Sequence, residues 1–286
     1  MKVAIIGSNG QLGSDLVNEF SQLGSDVIPL THADIKVENI ESVRSVLRDI
    51  NPNIILNTAA YHIVPKCEES PVDSYQINSL GALNVAKCSE ELDAVNLFFS
   101  TDYVFDGAKL SPYLEIDRPN PLNIYASTKL LGEYHTLNYH NKSIVIRISG
   151  IYGKVPCRAK GGNFITTMIK VAKEKPEVKV VNDEILTPTP TSEIAKRTYD
   201  IIKSDSFGLF HLTCEGQCSW YEFAKIIFES LNLKTPLTSC SVKDNVMAVK
   251  RPTYSVLENR NAKQLGIRIM PHWNDALIKF LSEHYN

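Results

Sequence analysis

A phenol and an ammonium stand four residues apart in Tyr125-Ala126-Ser127-Thr128-Lys129. On a helix, side chains at that spacing share one face. A free phenol titrates at about 10, too high for ready proton exchange at neutral pH, and a neighbouring cation favours its phenolate. Upstream, an apolar run ends in Ser100-Thr101-Asp102-Tyr103-Val104-Phe105-Asp106-Gly107. Ligands of open α/β sheets bind beyond the carboxyl ends of the strands, which sets the Thr101 hydroxyl where it can donate to a substrate carbonyl. Thr101, Tyr125 and Lys129 are therefore the candidate catalytic residues: a carbonyl-polarising donor, an acid/base, and the cation that lowers its pKa.

A second constellation lies near the start of the chain. Gly7-Ser8-Asn9-Gly10-Gln11-Leu12-Gly13 follows the apolar run 2–6, and Leu12, Leu16, Phe20 and Leu23 then recur at helical spacing. Glycine permits positive φ and close approach of backbone to a ligand. The first turn of the helix offers unpaired N–H groups and the positive dipole end to a pyrophosphate. A glycine turn between strand and helix is the context of a dinucleotide site. The end of the second strand usually selects between the two nicotinamide dinucleotides. Here it reads Thr31-His32-Ala33-Asp34, with neither an immediate acid nor an arginine. The cofactor is thus NADP(H) or NAD(H), with a lean to NADP(H), and Asp34 and Ile35 are best placed to meet the adenine.

These residues need a frame. Strands are expected at 2–6, 27–30, 54–56, 96–100 and 143–148, alternating with helices at 12–23, 40–50, 71–92 and 125–138. That order predicts an α/β fold, a Rossmann-type doubly wound parallel sheet. Pro29 fits poorly in a strand placed inside the sheet, because proline removes a ladder donor. After Gly153 the rhythm changes. Residues 154–162 read as a loop, a helix follows near Phe164, and 187–191 (TPTPT) must be extended. Ser192 could cap the next helix, and 209–212 is a short strand. We expect a dinucleotide-binding domain over 1–150, rejoined by 187–212. A smaller C-terminal substrate-binding lobe takes 151–186 and 213–286.

Composition narrows the classes. The 286 residues are 43% hydrophobic and 22% charged, enough apolar mass for a core. Thirty Lys plus Arg face 32 Asp plus Glu, for a net charge of -2, which argues against nucleic acid as a partner. No apolar run nears the roughly 20 residues that span a bilayer, and the N-terminus reads as a strand rather than a signal peptide. The expectation is a cytoplasmic protein without a membrane partner. Of the cysteines at 67, 88, 157, 214, 218 and 240, only Cys214 and Cys218 lie close, and no histidine spacing completes a metal site, so no metal is expected.

The chain resembles an extended short-chain dehydrogenase/reductase, most closely the dTDP-4-dehydrorhamnose reductase family. GSNGQLG at 7–13, NTAAY at 57–61, the Asn78 region, STDYVFDG at 100–107, PLNIYASTK at 121–129, RISGIYG at 147–153 and RPTYSVL at 251–257 carry the likeness over nearly the whole length. The resemblance implies reduction of the 4-keto group of a nucleotide-activated deoxysugar, with Tyr125 as proton donor, Lys129 holding the nicotinamide ribose and Thr101 polarising the carbonyl. It implies that Gly7, Asn9, Gly10, Gln11 and Leu12 cradle the pyrophosphate, and that Ala59, Ala60 and Tyr61 line the groove. Thr31, Asn78, Ser100 and Ile148 complete the cofactor side. Asp102, Tyr103 and Val104 would flank the sugar, and Arg251 would meet a phosphate. Related dehydratases carry an Asp-Glu pair after the threonine, whereas Tyr103 follows Asp102 here, which favours reduction over loss of water.

Three departures leave the sugar open: Gly150 where the family has tryptophan, Val64-Pro65-Lys66 for Val-Asp-Lys, and Asp183-Glu184 for Asp-Gln. A reductase or epimerase of another nucleotide sugar remains an alternative. So does a non-catalytic NADP-binding regulatory subunit, since RISGIYG is also similar to the β subunit of methionine adenosyltransferase. A homodimer is left open as well.

Overall fold

Short apolar strands alternate with helices through the first half of the chain. β1 (Lys2–Ile6) leads into α1 (Gln11–Gln22), and β2 (Asp26–Leu30) into α2 (Ile40–Ile50). β3 (Ile54–Asn57) precedes three helical segments, α3 (Val64–Glu69), α4 (Pro71–Tyr75) and α5 (Gly81–Glu91). β4 (Val95–Thr101), α6 (Ile124–Tyr139) and β5 (Ser143–Ile148) follow. The remainder holds β6 (Ile151–Tyr152), α7 (Phe164–Glu174), β7 (Val178–Val181), β8 (Ile185–Leu186), β9 (Thr189–Pro190) and α8 (Thr191–Lys203). It continues with β10 (Gly208–His211), β11 (Cys218–Ser219), α9 (Trp220–Ser230), β12 (Leu237–Cys240), α10 (Arg260–Gln264) and α11 (Trp273–His284). This computed structural model describes residues 1–157, 161–244 and 249–285; part of the loop expected over 154–162 therefore lies outside the described residues.

Six strands form one parallel sheet in the order β10–β5–β4–β3–β1–β2. This is the α/β, Rossmann-type sheet that the alternation predicts. Successive side chains of a strand point to opposite faces. Val3 and Ile5 of β1 accordingly join Leu12, Leu16 and Phe20 of α1 and Ile194 of α8 on one face. Ala4 and Ile6 join Val43 and Leu47 of α2 and Val85 of α5 on the other. A separate core gathers Ile165, Phe223, Trp273 and Phe280 from α7, α9 and α11 around Tyr152. Cys214 and Cys218 are buried in it, and burial pushes both thiols up. No helix among the described residues is long and apolar enough to cross a membrane.

Three local expectations change. Pro29 does not sit inside the sheet: β2 is the outer strand, where a missing donor need not break a ladder bond. The helix expected over 71–92 is α4 and α5 joined by a π-helical turn, Gln76–Leu80. Such turns often occur at functional sites, and this one carries Asn78. Ser192 does not cap α8. The helix starts at Thr191 behind Pro190, and the Thr191 hydroxyl donates to Asp15 at 2.5 Å.

The first turn of α1 tolerates no side chain at Gly13, which packs on the glycine turn before it. A Cβ on Gly13 would lie 2.2 Å from the Gly7 carbonyl oxygen and 2.9 Å from the Ser8 Cα. Gly13→Ala is expected to lower unfolding free energy by roughly 2–3 kcal/mol through overpacking against backbone, read from urea denaturation, and to weaken dinucleotide binding. Gly24→Ala meets nothing within 4 Å but has φ +76; it should lose only about 1 kcal/mol from the left-handed backbone. Equal losses at both positions would contradict this account of the turn.

Candidate active site

The glycine turn ends in a helix whose first turn is left open. Gly7 takes φ +80, and Gly10 stands at the N-cap of α1 with no side-chain hydrogen bond and no acidic residue in the turn that follows. The Leu12 side chain goes to the core, and Gln11 sends its Nε2 to the Ile151 carbonyl at 3.1 Å. What the turn presents outward is backbone N–H at the positive end of a helix, a fit for a pyrophosphate. Asn9 is exposed beside it, and Ala59, Ala60 and Tyr61 form a half-buried strip just beyond β3.

Asn78, expected to contact the cofactor, is fully buried. Its Oδ1 accepts from the Tyr61 N–H at 2.8 Å, and its Nδ2 donates to the Tyr61 carbonyl and to Thr128 Oγ1. It holds the Tyr61 segment against α6 instead of facing a ligand. At the other end of the groove, Asp34 accepts from the Thr31 N–H (2.8 Å) and hydroxyl (2.7 Å), which holds its carboxyl below the usual range and closes the turn after β2. Ile35 is corrected: it packs with Leu30, Val37 and Val43 in the core rather than beside an adenine.

The candidate reacting groups lie beyond β4 and at the start of α6. Thr101 is the last residue of β4, and Asn123 caps α6 by accepting from the Ala126 N–H at 2.9 Å, which fixes Tyr125 in the first turn. Tyr125 is half-buried and meets the Tyr103 ring edge-on at 6.2 Å, and the Thr101 hydroxyl is near enough to act on its phenol. Burial pushes its phenol up, Thr101 opposes this, and Asp102 and Cys67 push it higher. The lowering expected from Lys129 is not found. Lys129 is itself buried, with Nζ 3.8 Å from the centroid of the Phe98 ring. Loss of water brings its ammonium down to about 7, against the opposing pull of Glu133 one helical turn away.

Three expected ligand contacts turn inward. Ser100 donates to Glu133 Oε1 at 2.5 Å. Val104 belongs to a core with Phe105, Tyr113 and Leu257. Asp102 is buried, and its Oδ2 accepts from Ser149 (2.8 Å) and Ser255 (2.5 Å) while Oδ1 accepts from Thr101 (3.2 Å). Tyr103 stays half-buried beside Tyr125, and Arg251, also half-buried, acts electrostatically on it. Ile148 is half-buried at the end of β5.

A buried ion pair unforeseen from the sequence lies behind these groups. Arg147 of β5 gives Nε and Nη2 to the two oxygens of Glu133 at 2.9 and 2.7 Å. Both side chains are almost fully buried. The signal was present: an arginine inside the apolar run Ser143–Ile148 requires a buried partner. Among the described residues no group of three or more His, Cys, Asp or Glu side chains could hold a metal.

Residues 1–286 match the family described as RmlD substrate binding domain. The chain belongs to that family. A spore coat polysaccharide biosynthesis protein of Bacillus subtilis, SpsK, is 38% identical over 99% of this chain and 97% of its own. The dTDP-4-dehydrorhamnose reductase of Escherichia coli K12 is 33% identical over 99% and 98%. A crystal structure of dTDP-4-dehydrorhamnose reductase from Bacillus anthracis, in complex with NADP, superposes with a TM-score of 0.94 at 36% identity over 99% of both chains. Against this RmlD-type background Gly150 takes φ +53, and a Cβ there would lie 2.8 Å from Leu186 Cδ1. Leu186 thus occupies the space at the position where the resemblance implies a tryptophan.

Two outcomes follow from the buried charges. Glu133→Leu strands the Arg147 guanidinium and is expected to lower stability by about 3–5 kcal/mol, whereas Glu133→Leu with Arg147→Met should recover most of it. Denaturant unfolding of both variants checks this; an equally unstable double variant would contradict it. Asp102 is raised from 3.8 to about 6 by burial, which outweighs the bonds from Ser255, Ser149 and Thr101. Between those values the folded protein binds more protons than the unfolded chain, so this group makes stability fall as pH rises through the window. Asp102→Asn should remove that fall, measured as the difference in unfolding free energy between wild type and variant across pH 3.8 to about 6.

Proposed function

We propose that this chain is an NADPH-dependent dTDP-4-dehydrorhamnose reductase, acting on the 4-keto group of a nucleotide-activated deoxysugar. The observation that carries this reading is the meeting of Tyr125 and Thr101 at the carboxyl edge of the parallel sheet, served by the uncapped turn before α1. Family membership and the NADP-bound relative support it.

When bound, the reduced nicotinamide supplies a hydride to the sugar carbonyl carbon. Thr101 orients the keto oxygen by turning its hydroxyl proton from Asp102 Oδ1 to that oxygen. Tyr125 gives its phenolic proton to the same oxygen. Because burial pushes this phenol up, it is protonated at neutral pH and loaded as an acid before the reaction. Lys129, near 7, can hold or release a proton at the working pH, and Glu133 favours its charged form. Asp102 is committed to Ser149 and Ser255 and is followed by a tyrosine, so no pair of free carboxyls stands beside Thr101 to eliminate water.

In this reading Gly7 and Gly10 shape the turn, their own N–H groups donated to the Leu30 and Gly7 carbonyls, and Asn9, Gln11 and Leu12 offer backbone N–H groups to the pyrophosphate, while Ala59, Ala60 and Tyr61 line the groove and Thr31 lies toward the adenosine end. Tyr103 and Arg251 serve the sugar nucleotide, the guanidinium fork suiting phosphate oxygens. Residues 1–150 with 187–212 form the dinucleotide half, in keeping with β10 in the main sheet. Residues 151–186 and most of 213–286 form the sugar half, in keeping with the separate core around Tyr152, whereas Ala262 of α10 packs into the core of the main sheet.

Purified protein supplied with dTDP-4-dehydrorhamnose and NADPH should consume the nicotinamide absorbance. Tyr125→Phe should lower kcat roughly 100-fold or more while leaving NADPH affinity unchanged. Full turnover by that variant would contradict the assigned proton donor.

A further inference from the structure

On the sugar side of the site a buried carboxylate has an oxygen to spare. Two segments flank β8. β11 pairs with it antiparallel, setting Ser219 opposite Ile185, and Tyr254 bridges Ile185 in parallel. Ile185 donates its N–H to the Thr253 carbonyl at 2.8 Å and accepts from the Ser255 N–H at 2.9 Å. These ladders gather Glu184, just before β8, with Trp220, just after β11, and Arg251, two residues before Thr253. The Ser255 hydroxyl ties the same segment to Asp102, next to Thr101.

Glu184 is only 6% exposed. Its Oε1 is buried with no hydrogen-bond partner among the described residues, and the Nε of Arg251 is in the same condition. The Arg251 guanidinium and the Trp220 side chain both act on the Glu184 carboxyl. Arg251 and Glu184 in turn act on Tyr103, whose ring abuts Tyr125. A buried acceptor without a donor is unfavourable unless a ligand brings the donor. A 4-keto-6-deoxy sugar that turns its keto oxygen to Tyr125 carries hydroxyls on C3, next to the ketone, and on C2.

We propose that Glu184 is a specificity-determining residue whose Oε1 accepts a hydrogen bond from a ring hydroxyl of the 4-keto sugar, so that the site selects sugars retaining that hydroxyl. This rests on the reductase reading of the same site. Burial pushes the Glu184 carboxyl up, and Arg251 opposes that rise and favours the carboxylate form, which can only accept.

The test crosses enzyme variants with deoxygenated substrates. Wild type, Glu184→Ala and Glu184→Gln are each assayed on dTDP-linked 4-keto-6-deoxyhexose and on its 2-deoxy and 3-deoxy analogues. Wild type should lose roughly 10- to 100-fold in kcat/KM on the analogue lacking the contacted hydroxyl, the range of a hydrogen bond to a charged group. Glu184→Ala should lose a similar factor on the parent sugar, with no further loss on that analogue. Glu184→Gln, which keeps an acceptor oxygen, should recover part of the loss. NADPH affinity should be the same in all three proteins. If Glu184→Ala loses the same factor on all three sugars, or none, the residue reads no hydroxyl and the proposal falls. If wild type itself turns over no dTDP-linked 4-keto sugar, the reductase reading falls and this proposal with it.

Discussion

One carboxylate binds together the segments that carry the candidate reacting groups. Glu133, on the helix that bears Tyr125 and Lys129, accepts from Ser100 beside Thr101 and from Arg147 beside Ile148. The ends of β4 and β5 and the body of α6 are therefore fastened at one buried point. A buried ion pair is poor evidence for stability, since its desolvation can exceed the Coulombic gain. Its value here is positional: a hydride acceptor, a proton donor and a polarising hydroxyl must agree within a fraction of an ångström. A half-satisfied pair would lose that agreement along with stability.

The electrostatics around this point suit reduction. Burial keeps the Tyr125 phenol protonated and brings Lys129 to about 7, with Glu133 opposing that fall. Asp102, one residue beyond Thr101, is consumed by Ser149 and Ser255 and acts as a strut between the strand end and the 251–257 segment. The cofactor side is organised differently, by leaving groups unmet. α1 starts at a glycine without a side-chain cap, and Gly13 packs onto the Gly7 carbonyl so closely that the turn has one available shape.

Local pattern disclosed much of the frame. The strands of buried Val, Ile and Leu, the glycine turn after β1 and the Tyr125–Lys129 spacing are all short-range features, and the six-stranded sheet follows from their alternation. What pattern could not supply is which side chains face each other across the fold. Ser100, Asp102 and Val104 lie in the motif expected to touch the ligand, yet each points into the protein because Glu133, Ser149, Ser255 and the Phe105 core meet it there. Ile35 follows the same logic. Pro29 became intelligible only when strand order made β2 an edge. Glu133 lies 14 residues from Arg147, and Ser149 and Ser255 lie 47 and 153 residues from Asp102, beyond the reach of periodicity.

Direct transfer of hydride from nicotinamide to the sugar tests the central claim. The protein is incubated with dTDP-4-dehydrorhamnose and NADPH carrying deuterium on the transferred position of nicotinamide C4, and the sugar is then read by mass spectrometry and NMR. The account predicts one deuterium, on C4 of the product sugar, in proportion to the NADPH oxidised. Product without deuterium at that carbon, or NADPH left unoxidised in the presence of the keto sugar, would contradict it.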